Sequence, residues 1–417
     1  MKLKDIFVLV TKSITPKSDE HYHLYSLPSF DENKTREEVK GKEIMSNKLV
    51  VPDKCILFNK LNVRFKRVWS IDNQDSNKLA STEFLPLVVR EDKVDFKFAY
   101  YLLVSDLVTN YLSGQNSNTS GSHKRINPDV LLEININLPS RPKQEGIGRI
   151  LSNIDAKIAL NREINRNLEA MARQLYDYWF VQFDFPDENG RPYKSSGGKM
   201  VWNEKLRREI PEGWIISTIG NIASLNISSL SKKDDLRELL YLDTSSLTEN
   251  KIDTVQHIER DDAPSRAQRK VSKNTILYST VRPRLKHFGI LCNPPDNLIA
   301  STGFCTIDAN NISYSFWLYL FLTEEKIIKN LSDIADTAVS SYPSIGPSDI
   351  EGLQVCLGND GLMALFYEKV SALFEIIESN QNENNELQKQ RDELLPLLMN
   401  GQVSVMPLAT NCDLPHD

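Results

Sequence analysis

A strict heptad of seam positions runs through the middle of the chain, from about residue 144 to residue 180. The steps between these positions alternate between four and three residues, which predicts a long helix with one side packed against a partner helix. The positions are Ile147, Leu151, Ile154, Ile158, Asn161, Asn165, Leu168, Ala172, Leu175 and Trp179.

A second heptad lies near the C-terminus, at a constant offset from the first (366 − 147 = 219), and predicts a second helix. Its positions are Phe366, Val370, Leu373, Ile377, Asn380, Asn384, Leu387, Arg391, Leu394 and Leu398. Two asparagines recur at matching places in both seams. An amide in a seam costs stability but fixes the register, because a mispaired amide lacks a hydrogen-bond partner. We expect antiparallel pairing, which places Asn161 opposite Asn384 and Asn165 opposite Asn380.

The segments that precede the two helices also repeat. Residues 51–66 align with residues 271–286, and residues 79–84 align with residues 299–304, both at an offset of 271 − 51 = 220. Pro128 and the apolar positions after it match Pro347 and its followers at 347 − 128 = 219. Chance similarity does not hold register over such a length, so the sequence predicts a duplicated domain followed each time by a helix.

The predicted organisation is globule, helix, linker, globule, helix and tail. Short strand-like runs such as residues 275–278 and 352–357 alternate with helical stretches such as residues 96–112 and 314–330, which indicates mixed α/β globules. A stretch rich in Pro, Gly and Ser separates the halves. The boundaries are 1–140 for the first globule, 141–183 for the central helix, 184–212 for the linker, 213–362 for the second globule, 363–400 for the C-terminal helix and 401–417 for the tail.

Charge is distributed unevenly along the chain. The 50 Lys and Arg residues against 56 Asp and Glu residues give a net charge of −6, which is unlike a typical nucleic-acid binder. Residues 265–290, however, contain no acidic residue and seven basic ones, and a smaller basic run covers residues 54–67. A solvated surface is the ordinary interpretation of such runs. Their equivalent positions in the repeat favour a shared contact with a polyanion.

The chain offers no recognisable catalytic or metal-binding pattern of its own. Its five cysteines, Cys55, Cys292, Cys305, Cys356 and Cys412, are scattered and predict reduced, mostly buried thiols. Asn293-Pro-Pro-Asp296 lacks the aromatic residue of an amino-methyltransferase motif. A nuclease-like Pro52-Asp53 with Glu91-Asp-Lys93 fits coincidence better, and Gly197-Gly-Lys199 lacks the rest of a phosphate-binding loop. Without a signal peptide or an apolar run long enough to span a bilayer, a cytoplasmic location is expected.

Several motifs make the chain similar to a known family along almost its whole length. They are NLEAMARQLYDYWFVQFD at residues 167–184, GRP at 190–192, IPEGW at 210–214 and LLPLLMNGQV at 394–403. YSLPSFD at 25–31 and LFNKLNVR at 57–64 are typical of one class of target recognition domain; LYSTVRP at 277–283 and NLIASTGF at 297–304 are typical of another. The chain resembles the specificity subunits of type I restriction-modification systems.

The resemblance implies an α+β fold with two pseudo-repeated target recognition domains separated by two long antiparallel helices that form a coiled coil. It implies a non-catalytic subunit that recognises a bipartite site in double-stranded DNA, one half-site per domain, with the helices setting the spacer and binding two modification subunits. S-adenosylmethionine, and ATP with Mg²⁺, are expected on the modification and restriction (motor and nuclease) subunits, and no cofactor, metal or membrane contact on this chain.

Candidate DNA contacts follow from the repeat, because base edges are recognised by polar groups and phosphates by cations. In the first globule they are Asn59, Lys60, Asn62, Arg64, Lys66, Arg67, Ser81, Thr82, Ser122, His123, Lys124 and Arg125. In the second they are Ser279, Thr280, Arg282, Arg284, Lys286, Ser301, Thr302, Ser340, Ser341 and Tyr342.

Three alternatives stay open at this point. A stand-alone bipartite DNA-binding regulator would need the same globules but no surface for a partner subunit. A fused restriction enzyme would need motor or nuclease motifs, and a purely structural coiled-coil protein would not need two basic, hydroxyl-rich globules.

Overall fold

The computed structural model describes residues 1–32, 34–115, 125–231, 233–337 and 343–403. Its internal contacts divide the chain into two compact units, and each is described by itself. The first unit comprises Met1–Ala159 and the chain from Asn384 onward, and the second comprises Leu160–Glu383. Each unit therefore contains one globular domain and a part of both long helices.

Within the described residues, the first unit contains two sheets and, besides the end of the C-terminal helix, five α-helices. Its strands are β1 Phe7–Leu9, β2 Ser13–Ile14, β3 His21–Tyr25, β4 Glu37–Lys40, β5 Lys48–Val50, β6 Lys54–Asn59, β7 Val68–Asp72, β8 Lys78–Ala80 and β9 Phe84–Val89. Its helices are α1 Leu27–Glu32, α2 Phe96–Val104, α3 Asp106–Gln115, α4 Pro128–Leu132 and the long α5 Arg141–Tyr176, which continues into the second unit.

Strand β6 explains why two sheets form. Its residues after Lys54 are buried, as is typical of a strand covered on both faces. Because side chains alternate along a strand, Ile56 and Phe58 join one hydrophobic cluster, while Cys55 and Leu57 join another. One sheet has the order β1-β9-β6-β7 and the other has the order β2-β5-β8-β3-β4, in which β3 and β8 run parallel.

The second unit contains the remaining elements that the structure describes. Its strands are β10 Met200–Asn203, β11 Arg208–Pro211, β12 Ile215–Thr218, β13 Ala223–Leu225, β14 Glu238–Leu242, β15 Leu247–Thr248, β16 Lys251–Ile252, β17 Gln256–Glu259, β18 Ala267–Lys270, β19 Thr275–Ser279, β20 Phe288–Leu291, β21 Leu298–Ser301, β22 Phe304–Ala309 and β23 Gln354–Leu357. Its helices are α6 Ile219–Ile222, α7 Ser315–Leu322, α8 Glu325–Thr337, α9 Pro347–Glu351 and the long α10 Asp360–Met399, which ends in the first unit.

The two globules have the same topology, which confirms the repeat. The sheet β13-β22-β19-β20 repeats the order β1-β9-β6-β7, and β18-β21-β14-β17 repeats β5-β8-β3-β4. The parallel pair β3–β8 recurs as the parallel pair β14–β21. The two long helices begin at Arg141 and Asp360, again 219 residues apart (360 − 141).

The long helices pair antiparallel within the first unit. Ile147 and Leu151, near the start of α5, share a core with Leu395 and Leu398, near the end of α10. On the same pair of segments, the guanidinium of Arg391 lies 2.8 Å from a carboxylate oxygen of Asp155, whose other oxygen accepts a hydrogen bond from Tyr101 (2.6 Å).

The helices pair in the same sense within the second unit. The amide of Asn380 donates to the side-chain oxygen of Asn165 (2.8 Å), and the amide of Asn165 donates to the carbonyl of Ile377 (3.2 Å). Just past the end of α5, within a π-helical turn at Asp177–Val181, the ring of Trp179 lies 5.7 Å from that of Phe366. Antiparallel pairing predicts the contact between Asn165 and Asn380. All twenty heptad positions are buried or half-buried.

The segment between the domains has local structure of its own. Residues 184–199 form turns, in which the Asp184 carboxylate accepts hydrogen bonds from the backbone and hydroxyl of Ser195, and β10 and β11 then pair as a hairpin. Phe183, Phe185 and Trp214 pack their rings together around this segment. Among the described residues, no helix is both long and apolar enough to cross a membrane.

Candidate nucleic-acid interface

Each domain carries a basic loop at the same place in its topology: residues 59–67 follow β6, and residues 279–287 follow β19. We call these segments the first and second basic loops. Each begins with a buried polar side chain that bonds the residue two positions later. Asn59 accepts from the backbone of Leu61 (2.9 Å) and donates to its carbonyl (2.5 Å). Ser279 does the same with Val281, at 3.2 and 2.9 Å.

Both basic loops turn through a left-handed residue at equivalent positions. Asn62 has φ of 50° and Arg282 has φ of 48°. Asparagine tolerates this conformation, but an arginine there costs free energy that the surrounding structure must offset. A left-handed residue at this position in two diverged sequences indicates that the turn is important to the use of the loop; in the second loop Lys286 is left-handed as well (φ 56°).

The tips of the basic loops present basic side chains to solvent. Arg64 and Lys66 are exposed in the first loop, Arg284 is exposed in the second, and Lys286 is half-buried. Between each pair of cations stands an exposed apolar residue, Phe65 or Leu285.

A duplicated ion pair holds each tip against a helix. The Lys66 ammonium lies 2.6 Å from the carboxylate of Asp106, the first residue of α3. The Lys286 ammonium lies 2.7 Å from the carboxylate of Glu325, the first residue of α8. The hydrogen bond to Glu325 raises the pKa of Lys286, so the lysine remains charged at neutral pH. The acids are repeat equivalents (325 − 106 = 219).

Three further arginines near the basic loops also donate to carboxylates. Arg67 binds both oxygens of Asp31 (2.6 and 2.7 Å), and Arg125 binds both oxygens of Glu83. Arg284 lies 2.8 Å from Asp336. In this state, acids of the same domain occupy these cations.

Comparison with known proteins bears on the identity of this duplicated arrangement. A family model described as "Type I restriction modification DNA specificity domain" matches residues 1–170. The MjaIX specificity subunit of a type I restriction enzyme from Methanocaldococcus jannaschii is 22% identical over 400 residues, covering 95% of this chain and 87% of the relative. The HindI specificity subunit from Haemophilus influenzae is 23% identical, covering 84% of this chain and 86% of the relative.

The family model covers the first domain and most of α5, and the remainder of the chain repeats that topology. The chain is similar to type I specificity subunits along most of its length, and its residues 1–170 match their DNA specificity domain. The fold agrees: a crystal structure of the type I restriction-modification S subunit from M. genitalium covers 95% of this chain and 95% of its own, at a TM-score of 0.57 and 15% identity. On this similarity we refer to the two globules as the first and second recognition domains.

The hydroxyls predicted as contacts in these recognition domains lie beside the basic loops. Ser81 and Ser301 are equivalent, and each accepts a hydrogen bond from the backbone two residues later, Glu83 at 3.3 Å and Gly303 at 3.2 Å. Thr280 donates to the Gly303 carbonyl (3.1 Å), Thr82 is exposed and Thr302 is half-buried. Lys60 is half-buried, with its backbone bonded to Glu83 and Ile126. Ser122, His123, Lys124, Ser340, Ser341 and Tyr342 lie outside the described residues.

The structure thus separates residues that shape the loops from residues that extend to solvent. Asn59 and Ser279 are buried, and their polar atoms bond within the basic loops; the buried Ser301 instead accepts a hydrogen bond from Gly303 in the turn after β21. Sequence reasoning missed the carboxylates that partner the cations, and it missed Phe65 and Leu285. The offset of 219 could have revealed Asp106 and Glu325 as equivalent acids, but not which lysines they bind.

The cysteines provide no reactive thiolate in the part of the chain that the structure describes. Burial raises the pKa of Cys55, Cys292 and Cys305 to about 12 and that of Cys356 to about 11. A thiol protonated at neutral pH is a poor nucleophile and a poor metal ligand. Among the described residues, no group of three or more His, Cys, Asp or Glu side chains is placed to hold a metal ion.

Proposed function

We propose that this specificity subunit recognises a bipartite site in double-stranded DNA, with one recognition domain on each half-site. The observation that carries the proposal is the duplicated basic loop, which has the same cap, the same left-handed turn and the same clamped lysine in two domains of one topology. A shared backbone with different side chains is suited to docking on one kind of helix while reading two different sequences.

The exposed cations of the basic loops are the proposed phosphate and base contacts. Arg64 and Arg284 extend to solvent at equivalent positions, and Lys66 and Lys286 stand two residues further on. Phosphate contacts need only charge and reach, whereas a bidentate arginine can identify a guanine by its two acceptors. The buried Asn59 and Ser279 act indirectly in this proposal, by fixing the backbone from which those cations extend.

The chemistry of the enzyme belongs in this proposal to partner subunits. The modification subunits would bind S-adenosylmethionine and methylate adenine, and the restriction subunits would bind ATP and Mg²⁺ for the motor and nuclease. This chain supplies recognition and spacing and is non-catalytic.

A surface for the modification subunits is proposed on the outside of α5. Leu160, Ile164 and Met171 of α5 and Tyr178, in the π-helical turn after it, are all exposed, and the spacing of four and seven residues along α5 puts the first three on one side of the helix. These four residues form the exposed stripe. A row of exposed apolar side chains on a charged helix indicates contact with another protein. The matching heptad period favours a helix of the partner as the contacting element.

Co-purification with a modification subunit tests the proposal. We expect the complex to bind and methylate a bipartite site, and the isolated chain to bind specific DNA weakly, because its net charge is −6 and several of its loop cations are occupied by acids. Tight sequence-specific binding by the chain alone, with no gain from the partner, would instead support a stand-alone regulator.

Substitutions in the exposed stripe give a variant for the same co-purification experiment. Ile164→Lys with Met171→Lys should abolish co-purification while leaving the thermal unfolding of the chain unchanged, because both side chains face solvent. Ala170→Lys is the matched control, since Ala170 is also exposed but points about 100° round the helix from Met171. Assembly that survives the double change would place the modification subunit on another surface.

A further inference from the structure

Each basic loop exposes one large apolar side chain between its two tip cations. Phe65 is 59% exposed and Leu285 is 48% exposed, and they are repeat equivalents (285 − 65 = 220). A single exposed apolar residue is ordinary in a folded protein. The same exposure at the same position of two diverged domains, with a basic residue on either side, is not explained by the packing of either domain.

The tips are also held in place before any partner arrives. The left-handed residues Asn62 and Arg282 set the backbone, and Asp106 and Glu325 clamp the lysine that follows each apolar residue. In the first basic loop, the guanidinium of Arg67 additionally lies 4.9 Å from the centroid of the Phe65 ring. Such preorganisation lowers the entropy lost when a side chain is fixed by binding.

We propose that Phe65 and Leu285 are specificity-determining residues that contact bases in the two half-sites. The inference rests on the proposed function. Double-stranded DNA presents apolar surface, such as the thymine methyl group, in a groove between two rows of phosphates. An apolar side chain flanked by cations matches that order, because the cations can reach phosphates while the apolar group meets a base edge. A purely apolar protein surface would offer no partner to the flanking cations.

The test compares Phe65→Ala and Leu285→Ala in the complex with a modification subunit. Each variant should bind the specific duplex about tenfold more weakly, as removal of a buried apolar contact implies, and an unrelated duplex as tightly as the unchanged complex does. Methylome sequencing should show relaxed recognition in one half-site for Phe65→Ala and in the other half-site for Leu285→Ala.

Trp202→Ala and Ile312→Ala are matched controls, since Trp202 is 59% exposed and Ile312 is 45% exposed outside the basic loops. Both should leave specific binding unchanged. The inference is overturned if the two loop variants keep full specific affinity, if they weaken binding to unrelated DNA equally, or if they fail to bind the modification subunit. An unchanged complex that shows no preference for a bipartite site would instead overturn the proposed function, and this inference with it.

Discussion

Several cations of the basic loops are held by carboxylates of their own domains, and this governs what those residues can do. Lys66, Arg67 and Lys286 all have an acidic partner within 3 Å. Ion pairs at a surface contribute little to stability, so exchanging a carboxylate for a phosphate costs little. Meanwhile the acids reduce the positive field and hold the side chains extended. Weak attraction to DNA of any sequence is the expected consequence.

Substitution of the tip arginines distinguishes base contacts from phosphate contacts. Arg64→Ala and Arg284→Ala should each weaken binding of the complex to its site by about 1–3 kcal/mol if they contact bases, with relaxed recognition at one position. A phosphate contact would give a uniform loss across sequences and a smaller salt dependence. Affinity measured on specific and unrelated duplexes at several salt concentrations separates these outcomes. Unchanged affinity in both variants would move the binding face away from the basic loops.

For single residues, the sequence predicted which positions of the two domains are equivalent better than it predicted which side chains contact one another. The offset of 220 correctly matched Asn59 with Ser279 and Lys66 with Lys286, because an alignment preserves backbone equivalence. It could not show that Asn59 and Ser279 are buried. Nor could it pair Lys66 with Asp106, 40 residues away, because that contact depends on how α3 packs beside the loop.

For the long helices as well, the sequence predicted one part of the structure and missed another. Heptad spacing predicted which residues of α5 and α10 are buried, and that pattern depends only on local periodicity. It did not predict that Phe374 and Phe180, outside the seam, are also buried. Phe374 packs on Phe316 and Tyr319 of α7, and Phe180 packs on Trp317. These contacts arise because a recognition domain covers another face of the helices, which no single-helix pattern encodes.

A glutamate on α5 should make the stability of this packing depend on pH. Glu169 lines a cleft of about 600 Å³ between α5 and the second recognition domain. Its pKa is raised from 4.5 to about 7, chiefly by burial and also by the nearby Glu249, against the opposing effects of a hydrogen bond with Asn250 and the charge of Arg173. Because the folded chain then holds this proton more tightly than the unfolded chain, Glu169 should reduce stability as pH rises from about 4.5 to 7.

Glu169→Gln should remove that dependence and raise the free energy of unfolding at pH 8 by about 1–2 kcal/mol. Thermal unfolding at pH 5.5 and pH 8 measures the effect. Glu163→Gln is the control, because Glu163 is exposed on the same helix and should change neither value. An identical pH dependence in wild type and Glu169→Gln would contradict the assignment.

For the whole molecule, duplication of topology with divergence of side chains predicts independent recognition. Replacing residues 213–362 with the corresponding region of a relative should change one half-site and leave the other intact, because the first recognition domain has its own sheets and its own core. Methylome sequencing of cells that carry the chimaera and its modification subunit provides the measurement. Alteration of both half-sites would mean that the two domains do not recognise DNA separately.

The helices are proposed to set the distance between the half-sites, and a paired insertion tests this. Both helices pass from one unit to the other, α5 between residues 159 and 160 and α10 between residues 383 and 384. Seven residues inserted at both places keep the heptad seam in phase and add about 10 Å of helix, the length of about three base pairs. Contacts inside each unit are untouched, so both recognition domains should remain intact. We therefore expect a longer DNA spacer between unchanged half-sites, as measured by methylome sequencing.

A seven-residue insertion in the exposed turn after Asn189 adds chain but no helix, and should leave the spacer as it was. A folded, active double insertion that keeps the original spacer would show that the helices do not set the distance.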